Sequence, residues 1–245
     1  MLGQGAAPAG TTSERQAAAW VRGMFGQIVP RYDLLNHLLS MNIDRYWRGR
    51  TVRQVSHVLE KPDARVLDIC CGTGDLMLSL ASRSRGRVYG SDFCHPMLVA
   101  AHQKAGQRRA RAPLFEADAL ELPVADASLD LITVAFGFRN LANYQRGLEE
   151  LLRILKPGGL AAILEFSTPP NPVLAQLYDF YSRAVLPTLG GWLSGSKEAY
   201  SYLPESVRKF PDAVGLADQM RAAGFTNVRF KRMTAGIVAL HLGER

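Results

Sequence analysis

The stretch Val66-Leu67-Asp68-Ile69-Cys70-Cys71-Gly72-Thr73-Gly74-Asp75 decides the fold class of this 245-residue chain. Its apolar start predicts a buried strand, and the two glycines predict a sharp turn that a ligand can approach closely. Amphipathic sequence follows at once, so the turn leads directly into a helix. In open α/β sheets, the crevice beyond the carboxyl end of such a strand is the usual ligand site. The stretch therefore predicts an α/β domain with a binding site at its glycines.

From residue 64 onward, short β-branched or apolar segments alternate with longer amphipathic segments. This alternation is typical of βαβ units, in which a mostly parallel sheet carries helices on both faces. The segment Lys156-Pro157-Gly158-Gly159 predicts the end of a helix and a turn into the fifth strand. The predicted strands are 65–69, 87–90, 114–117, 129–136, 160–166, 228–233 and 237–242. The main predicted helices are 75–84, 96–105, 144–155 and 211–223.

The residues at the turn distinguish two kinds of nucleotide ligand. A dinucleotide site has a third glycine three residues after the second, and this chain has Met77 there. Asp68 and Asp75 add negative charge, which suits a pyrophosphate poorly. The same charge suits S-adenosylmethionine, which carries a sulfonium and an amino group. We therefore expect Asp68, Gly72 and Gly74 to contribute to an S-adenosylmethionine site.

Acidic residues also follow the second and third predicted strands. Asp92 is placed to accept hydrogen bonds from ribose hydroxyls, a device that dinucleotide sites share. Asp118, followed by Ala119, is placed to meet the adenine amino group. Each residue alone has a structural interpretation, such as a helix cap. Their joint position on three strand ends favours a binding site.

The chain divides into a tail and one domain. Residues 1–16 have low hydrophobicity and several Gly and Pro residues, so we expect a flexible tail. Residues 17–245 form a single domain, in which 17–60 is an N-terminal helical cap that Pro30 interrupts. Residues 172–205 are an insertion after the fifth strand. Its start, 172–192, is strongly apolar and aromatic.

Composition restricts the class of protein. The net charge is +7, but the positive charges are scattered, and the densest cluster, 104–111, is interpreted as a solvated helix end. A membrane-facing patch and a nucleic-acid contact are the alternatives. The three cysteines and five histidines show no metal spacing, so we expect no metal and reduced thiols in a cytoplasmic protein. No secretory signal and no membrane span are expected.

Four segments resemble one family of enzymes, the ubiquinone/menaquinone biosynthesis C-methyltransferases. They are Tyr32-Asp33-Leu34-Leu35-Asn36 with Trp47, the 68–75 turn, Phe136-Gly137-Phe138-Arg139-Asn140, and 153–167 with its LKPGG and LEFS sequences. The resemblance extends from about residue 21 to the end of the chain. The turn and LKPGG occur in many methyltransferases, whereas the first and third segments are more specific. The chain departs from the family pattern at Leu35 (usually Met), Asp44 (usually His, and expected to be structural) and Ala135 (often Ser).

The resemblance implies the fold of a Rossmann-like class I methyltransferase, with seven strands of which the last is antiparallel. It implies S-adenosylmethionine as cofactor, with contacts from Thr73, Asp92, Asp118 and Ala119. The acceptor would be a ring carbon of a polyprenylated quinol, demethylmenaquinol in the first instance. Such a carbon becomes a better nucleophile when the adjacent hydroxyl loses its proton, so the site should stabilise a phenolate.

Four residues are candidates for catalysis. Arg139, after the fourth strand, is the expected phenolate stabiliser, and a structural salt bridge is its alternative. Asn140 can donate or accept beside it. Tyr32 and Asp33 are expected to cap the active site, or else simply to pack a helix turn. His241, in the last strand, is expected to be structural.

Several alternatives stay open. The acceptor could be the benzoquinol of the ubiquinone pathway, or another small or lipid molecule. An RNA methyltransferase would have a basic stripe or an NPPY-type turn after strand four, which this sequence lacks, so we expect no nucleic-acid partner. A non-catalytic binding module is disfavoured by Gly72, Asp92 and Arg139. The apolar 172–192 segment fits a wall for a prenyl tail, peripheral contact with a membrane surface, or packing in a core or homodimer.

Overall fold

A computed structural model describes residues 4–181 and 197–245. The first part of the chain is helical, with α1 (Glu14–Leu39), α2 (Ile43–Gln54) and the short α3 (Ser56–Leu59). The strands and helices that follow alternate as β1 (Arg65–Ile69), α4 (Asp75–Ala81), β2 (Arg87–Asp92), α5 (His95–Gln107), β3 (Leu114–Glu116), β4 (Leu129–Ala135), α6 (Tyr144–Ile154) and β5 (Leu155–Phe166). The last elements are α7 (Pro172–Phe180), α8 (Lys197–Lys209), α9 (Ala213–Ala222), β6 (Thr226–Met233) and β7 (Val238–Glu244).

The seven strands form one sheet in the order β3-β2-β1-β4-β5-β7-β6. Among these described strands, β7 alone runs antiparallel to its neighbours, pairing with β5 and β6. The chain order reverses between β1 and β4, so the carboxyl ends of these two strands border the crevice where α/β sheets bind ligands. The predicted fold class, a mostly parallel sheet with an antiparallel last strand, is confirmed.

Two apolar layers cover the sheet, one on each face. Val66 packs with Leu76 and Leu80 of α4 on one face. Leu67 packs on the other face with Leu148 and Leu151 of α6. Successive strand residues point to opposite faces, so an apolar strand such as β1 must be covered on both sides. A third, smaller cluster joins α1 to α8 through Val21, Met24, Ile28 and Tyr202.

Several predicted boundaries were wrong, including the end of α4, which lies at Ala81 instead of residue 84. Pro30 does not interrupt the N-terminal helix, because α1 continues through it with Met24 and Ile28 anchored in the third cluster. The start of β5 lies at Leu155 instead of residue 160, since Leu129 pairs with Leu155 and Leu131 with Leu160, and residues 156–159 bulge between them. The second strand extends to Asp92.

The segment expected as a flexible tail contains packed residues. Ala6 is buried, and its N–H donates to the carbonyl of Leu141 at 2.7 Å. The amide of Tyr144 donates to the Gln4 carbonyl at 2.8 Å, and α1 already begins at Glu14 with Ser13 as its N-cap. Residues 4–13 therefore cover the start of α6.

The apolar insertion is described only in part, because residues 182–196 lie outside the described residues. Its first helix, α7, buries none of its residues. Within the described parts of the chain, no helix is both long and apolar enough to cross a membrane.

His241 is buried in β7, its Nε2–H donates to the Ala213 carbonyl at 2.8 Å, and burial lowers its pKa to about 4. It is therefore a neutral structural residue.

Candidate active site

The glycine turn has two sides with different functions. Gly72 has a φ of +55° and faces a crevice beyond β1, with the Tyr32 ring 3.7 Å from where a Cβ would lie. Gly74 has a φ of +85° and faces inward, where a Cβ would lie 3.1 Å from Met77 and 3.3 Å from Ala101. Gly72 thus leaves space at the crevice, whereas Gly74 lets the turn pack against α4 and α5.

Backbone geometry also shapes the crevice at the end of β4. A Cβ on Gly137 would lie 2.4 Å from the Cβ of Cys70, so only glycine allows these two turns to approach. Cys70 and Phe136 each have a left-handed φ, of 52° and 59°. Non-glycine residues in this conformation are strained and concentrate at functional sites. The strain here lies at the carboxyl ends of β1 and β4, where the crevice opens.

Asp92 forms the acidic wall of the crevice. One carboxylate oxygen accepts from the Gly72 amide at 2.8 Å and the other from the Cys94 amide at 2.9 Å. Burial raises the pKa of this carboxyl, while these amides oppose the rise. Each carboxylate oxygen has a second lone pair, so Asp92 can still accept hydrogen bonds from two ligand hydroxyls.

The other residues of the crevice fit an adenosyl group. Asp118 and Ala119 line it as predicted, and Asp118 also accepts from the Leu120 amide at 2.9 Å. The crevice has a volume of about 700 Å³, which includes its opening to solvent. Its apolar wall consists of Phe25, Ile69, Phe93, Met97, Leu120 and Leu141. Arg22 of α1 lies 5.2 Å over the Phe93 ring and closes the outer side. Carboxylates that can accept from hydroxyl and amino groups, between flat apolar walls, are the acceptors that the adenosyl group of S-adenosylmethionine needs.

Three predicted cofactor residues do not line this crevice. Asp68 is buried below the turn, where it accepts from the Thr133 hydroxyl at 2.5 Å, and burial raises its pKa to about 7. Thr73 donates its hydroxyl proton to Asp33 at 2.5 Å, and Gly74 packs inward. These residues support the turn on the side that faces away from the crevice. Their spacing correctly identified them as part of the glycine turn. It did not predict which way their side chains point, because contacts with α1 and β4 determine that direction.

Asp33 belongs to a latch between α1 and the glycine turn, by which we mean the ion pairs of Lys104 with Asp33 and with Asp75. Its carboxylate contacts Lys104 of α5 at 2.6 Å, and Lys104 also contacts Asp75 at 2.9 Å. Asp33 does not line the crevice. It also does not line a second, aromatic cavity that adjoins the crevice. The geometry therefore does not support the expected catalytic role and instead gives Asp33 the function of holding α1 over the glycine turn.

This second cavity, of about 720 Å³, adjoins the crevice. The two spaces share Phe25, Tyr32 and Phe136, which form the boundary between them. On the far side, Trp47 and Phe166 complete an aromatic cluster with Phe136, whose ring centroid is 4.8 Å from that of Phe166 and 5.8 Å from that of Trp47. Such a cluster suits the faces of a flat aromatic acceptor.

Arg139 lines this cavity and is also ion-paired. Its guanidinium contacts the buried Glu165 at 3.1 Å, donates to the Phe136 carbonyl and lies 5.3 Å over the Phe166 ring. Burial disfavours the charge of Arg139, but Glu165 raises its pKa, so it stays protonated. The structural interpretation, a salt bridge, is therefore observed, and this salt bridge fixes Arg139 in the wall of the cavity.

Asn140 and Tyr32 lie where the two spaces meet. Asn140 lines the crevice, and its side-chain oxygen accepts from the Tyr202 hydroxyl at 3.1 Å. Tyr32 lines both spaces, and burial raises its pKa above the usual 10. Tyr32 is thus a neutral phenol near pH 7, which can donate a hydrogen bond but is no phenolate base.

An apolar groove of about 1180 Å³ continues from the cavity to the surface. It shares Asn36, Ser40, Trp47, Phe166 and Leu203 with the cavity. The outer wall is α7, with Leu174, Leu177, Tyr178 and Tyr181. Four apolar or aromatic residues of the 172–192 segment therefore lie along this groove, and residues 182–192 of the segment lie outside the described residues.

The corner between α1 and α2 holds a charge-compensated cluster. Asp44 is buried and contacts His37 at 2.8 Å, the Ser40 hydroxyl at 2.8 Å and Arg48. Although burial opposes it, the Ser40 hydrogen bond and Arg48 lower the pKa of Asp44. His37, Asp44 and Asp75 place metal-ligating atoms within 4.8 Å of one another, but Arg48 and Lys104 already neutralise the carboxylates. Asp44 therefore stabilises the corner.

Sequence reasoning missed several residues of the site. Glu165, the partner of Arg139, and the aromatic residues Phe136 and Phe166 were inside quoted motifs, but no role was predicted for them. An acid at the end of a buried strand was a usable signal, since a buried carboxylate needs a cation. Phe93, Lys104 and Tyr202 carried no comparable signal, because only the fold brings them to the site.

Solved structures of methyltransferases share this fold. A SAM-dependent methyltransferase of Thermotoga maritima, described as a possible histamine N-methyltransferase, has a TM-score of 0.63 at 18% identity and covers 91% of this chain and 98% of its own. The [4+2]-cyclase SpnF has a TM-score of 0.68 at 17% identity, with 98% of both chains covered. Since a cyclase has the same fold, these likenesses establish architecture alone.

Sequence comparison gives the family. Demethylmenaquinone methyltransferase of Thermus thermophilus is 49% identical over 91% of this chain and 100% of its own length, and that of Deinococcus radiodurans is 42% identical over 100% of both. A ubiquinone/menaquinone biosynthesis C-methyltransferase, UbiE, of Syntrophotalea carbinolica is 45% identical over 91% of this chain and 93% of its own. The model of one family matches residues 11–245. The chain belongs to the ubiE/COQ5 methyltransferase family, as the quoted motifs indicated.

Proposed function

We propose that this protein is an S-adenosylmethionine-dependent C-methyltransferase that converts demethylmenaquinol to menaquinol. The observation that carries the proposal is the continuity of three spaces. The crevice meets the aromatic cavity at Tyr32 and Phe136, and the cavity opens into the apolar groove along α7. A cofactor, a flat ring and a long apolar tail would need these three spaces in this order.

In the crevice, the chain's own residues hold and orient the cofactor. S-adenosylmethionine supplies an electrophilic methyl group on its sulfonium. Asp92, fixed by the Gly72 and Cys94 amides, would accept hydrogen bonds from the ribose hydroxyls, and Asp118 would accept from the adenine amino group. Phe93 and Met97 would pack on the base. This wall leaves the shared boundary at Tyr32 and Phe136 open toward the acceptor.

In the cavity, Arg139 acts on the acceptor oxygen. A hydroquinol that has lost a proton places negative charge on its oxygen and on the adjacent ring carbon. This carbon gains the methyl group as the methyl–sulfur bond breaks, which leaves a neutral thioether. The hydrogen of that carbon then moves as a proton to the oxygen, which restores the hydroxyl and the aromatic ring. Because Glu165 compensates the charge of Arg139, the guanidinium stabilises this anion mainly through directed hydrogen bonds. Tyr32 donates a further hydrogen bond from a neutral phenol. The aromatic cluster holds the ring and excludes water.

The choice of naphthoquinol rests on the relatives. Those of Thermus and Deinococcus are named for demethylmenaquinone. A second candidate acceptor is the polyprenyl benzoquinol of the ubiquinone pathway, because the Syntrophotalea relative is named for both quinones. The apolar groove accepts a prenyl tail of either compound.

A parallel assay tests the proposal. The purified protein is given labelled S-adenosylmethionine with demethylmenaquinol or with the demethyl benzoquinol, both reduced and with matched tails. We expect label in the naphthoquinol product and little in the benzoquinol product. The oxidised naphthoquinone is the control and should not react, since it lacks the ionisable hydroxyl. Equal transfer to both quinols would contradict the naphthoquinol preference, and transfer to neither, with the cofactor bound, would contradict the function.

A further inference from the structure

A cationic groove runs along the flank of the molecule beside α4. It encloses about 1710 Å³ and lies between α2, α4 and the end of α5. Six arginines line it, namely Arg45, Arg48, Arg83, Arg108, Arg109 and Arg111. Several guanidinium groups in one groove are the donors that bind phosphate oxygens.

The positive charge of this groove is largely uncompensated. Asp75 is the acid that lines it, and Asp75 already contacts Lys104 at 2.9 Å. Arg48 pairs with Asp44, whereas Arg45, Arg83, Arg108, Arg109 and Arg111 form no salt bridge within residues 4–181 and 197–245. These five side chains are exposed. The sequence interpretation of residues 104–111 as a plain solvated helix end does not account for a groove that also contains arginines of α2 and of the turn after α4.

The groove meets the tail groove at the corner between α1 and α2. His37 and Arg45 line the cationic groove, while Asn36, Met41 and Ile43 line the apolar groove. These five residues lie between positions 36 and 45, so the two grooves adjoin at the same corner.

Exposed apolar side chains surround the mouth of the tail groove. Met41 is 72% exposed and Leu38 is 51% exposed at the corner, and Leu177 and Phe180 of α7 are 60% and 68% exposed across from it. Large apolar side chains clustered in this way indicate a surface that is covered in use. Apolar side chains beside a row of arginines are typical of proteins that bind at the interface of an anionic bilayer.

We propose that this face, the cationic groove with the apolar rim of the tail groove, docks on an anionic phospholipid bilayer. The arginines bind lipid phosphates, and the rim residues enter the interface so that the tail groove opens into the bilayer. The inference rests on the proposed function, because a prenylated quinol resides in the bilayer and must enter the groove from there. Complementary charge selects an anionic bilayer over a zwitterionic one.

Binding to vesicles tests the proposal. The full chain is mixed with phosphatidylcholine vesicles, with and without phosphatidylglycerol, and the bound fraction is measured by flotation. We expect binding that requires phosphatidylglycerol and falls with added salt. The variant Arg83→Gln, Arg108→Gln, Arg111→Gln should bind at least about tenfold more weakly, since each arginine near the surface adds to the attraction. The matched control is Arg221→Gln, Arg229→Gln, Lys231→Gln, which removes three charges from α9 and β6 at the other end of the sheet. This control should bind as the wild type does.

Activity separates this inference from the proposed function. The groove variant should methylate a short-tailed, water-soluble quinol at the wild-type rate and lose activity on quinol embedded in anionic vesicles. Equal vesicle binding by the two triple variants, or binding that ignores phosphatidylglycerol, would overturn the docking proposal. Binding of the groove to a nucleic-acid duplex but not to vesicles would overturn it as well. Failure of the wild type to methylate the soluble quinol would overturn the proposed function itself, whatever the vesicles show.

Discussion

The cofactor crevice and the acceptor cavity are neighbours, but the chain builds them in different ways. The acids of the crevice lie at the end of β2 and in the turn after β3, and its key acid, Asp92, is fixed by backbone amides. The cavity is assembled from α1, α2, α8 and the ends of β4 and β5, and its key cation, Arg139, is fixed by a side chain, Glu165. The crevice is thus fixed by local backbone groups, whereas the cavity is fixed by side chains that distant parts of the chain bring together.

Removing the cation of the cavity should separate the two sites most clearly. For Arg139→Gln we expect turnover to fall about 10²–10³-fold, because a donor to a developing anion is lost. Cofactor affinity, measured by calorimetry, should stay within about twofold of wild type, since Arg139 does not line the crevice. Near-normal turnover would remove Arg139 from the chemistry.

A stability control accompanies that variant, because Glu165 is left buried without its partner. Breaking a buried pair costs about 3–5 kcal/mol, so Arg139→Gln alone should unfold at lower denaturant concentration. The double variant Arg139→Gln, Glu165→Gln should recover much of that stability and keep the low turnover. If turnover recovers together with stability, the role of Arg139 is structural only.

Removing Asp92, the acid of the crevice, should mainly weaken cofactor affinity, whereas removing Arg139 should mainly lower turnover. For Asp92→Ala we expect S-adenosylmethionine to bind about 100-fold more weakly, since charged hydrogen bonds to two hydroxyls are lost. Asp92→Asn is the matched variant, which keeps an acceptor and should lose less. Titration calorimetry measures both. Unchanged affinity in Asp92→Ala would mean that the crevice is not the nucleotide site.

A change in the tail groove should have a smaller and more selective effect. For Leu174→Gln, Leu177→Gln we expect KM for a long-tailed quinol to rise about tenfold, because apolar contacts with the tail are lost. KM for a short-tailed quinol should not change. Val214→Gln, on the exposed side of α9, is the matched control. An equal rise in KM for both quinols would argue against a tail in this groove.

The smallest effect is expected at the latch between α1 and the glycine turn. Asp33→Asn removes the ion pair with Lys104 at a half-exposed position, worth up to about 1 kcal/mol. Cofactor release, followed by stopped flow, should be faster by up to about fivefold. Glu14→Gln breaks the contact of the same helix with Arg146 and leaves the turn intact. If both variants release the cofactor equally fast, the effect is a general loosening of α1.

Much of the fold and part of the site followed from the sequence. The strand, glycine turn and helix at 66–75 are encoded within ten residues, and the strand-end acids Asp92 and Asp118 follow from the same local pattern. Arg139 and Tyr32 were identified through motifs, and both lie at the predicted place. In these cases local chemistry and chain order are sufficient, because the carboxyl ends of parallel strands always meet at one edge.

The remainder depends on long-range packing. Thr73 and Asp68 belong to the turn motif, but α1 and β4 determine that their side chains point away from the crevice. The pairing of Arg139 with Glu165 joins residues 26 positions apart, and that of Asp33 with Lys104 joins two helices. Pro30 within α1 shows that tertiary contacts override a local helix-breaking signal.

The proposed function requires that the crevice present a methyl donor to a ring carbon in the aromatic cavity. A labelling experiment tests this requirement: S-adenosylmethionine with an isotopically labelled methyl group is supplied with reduced demethylmenaquinol, and NMR locates the label in the product. We predict the label on the ring carbon beside a hydroxyl. Label on a quinol oxygen, or no labelled quinol from a protein that binds the cofactor, would contradict the proposal.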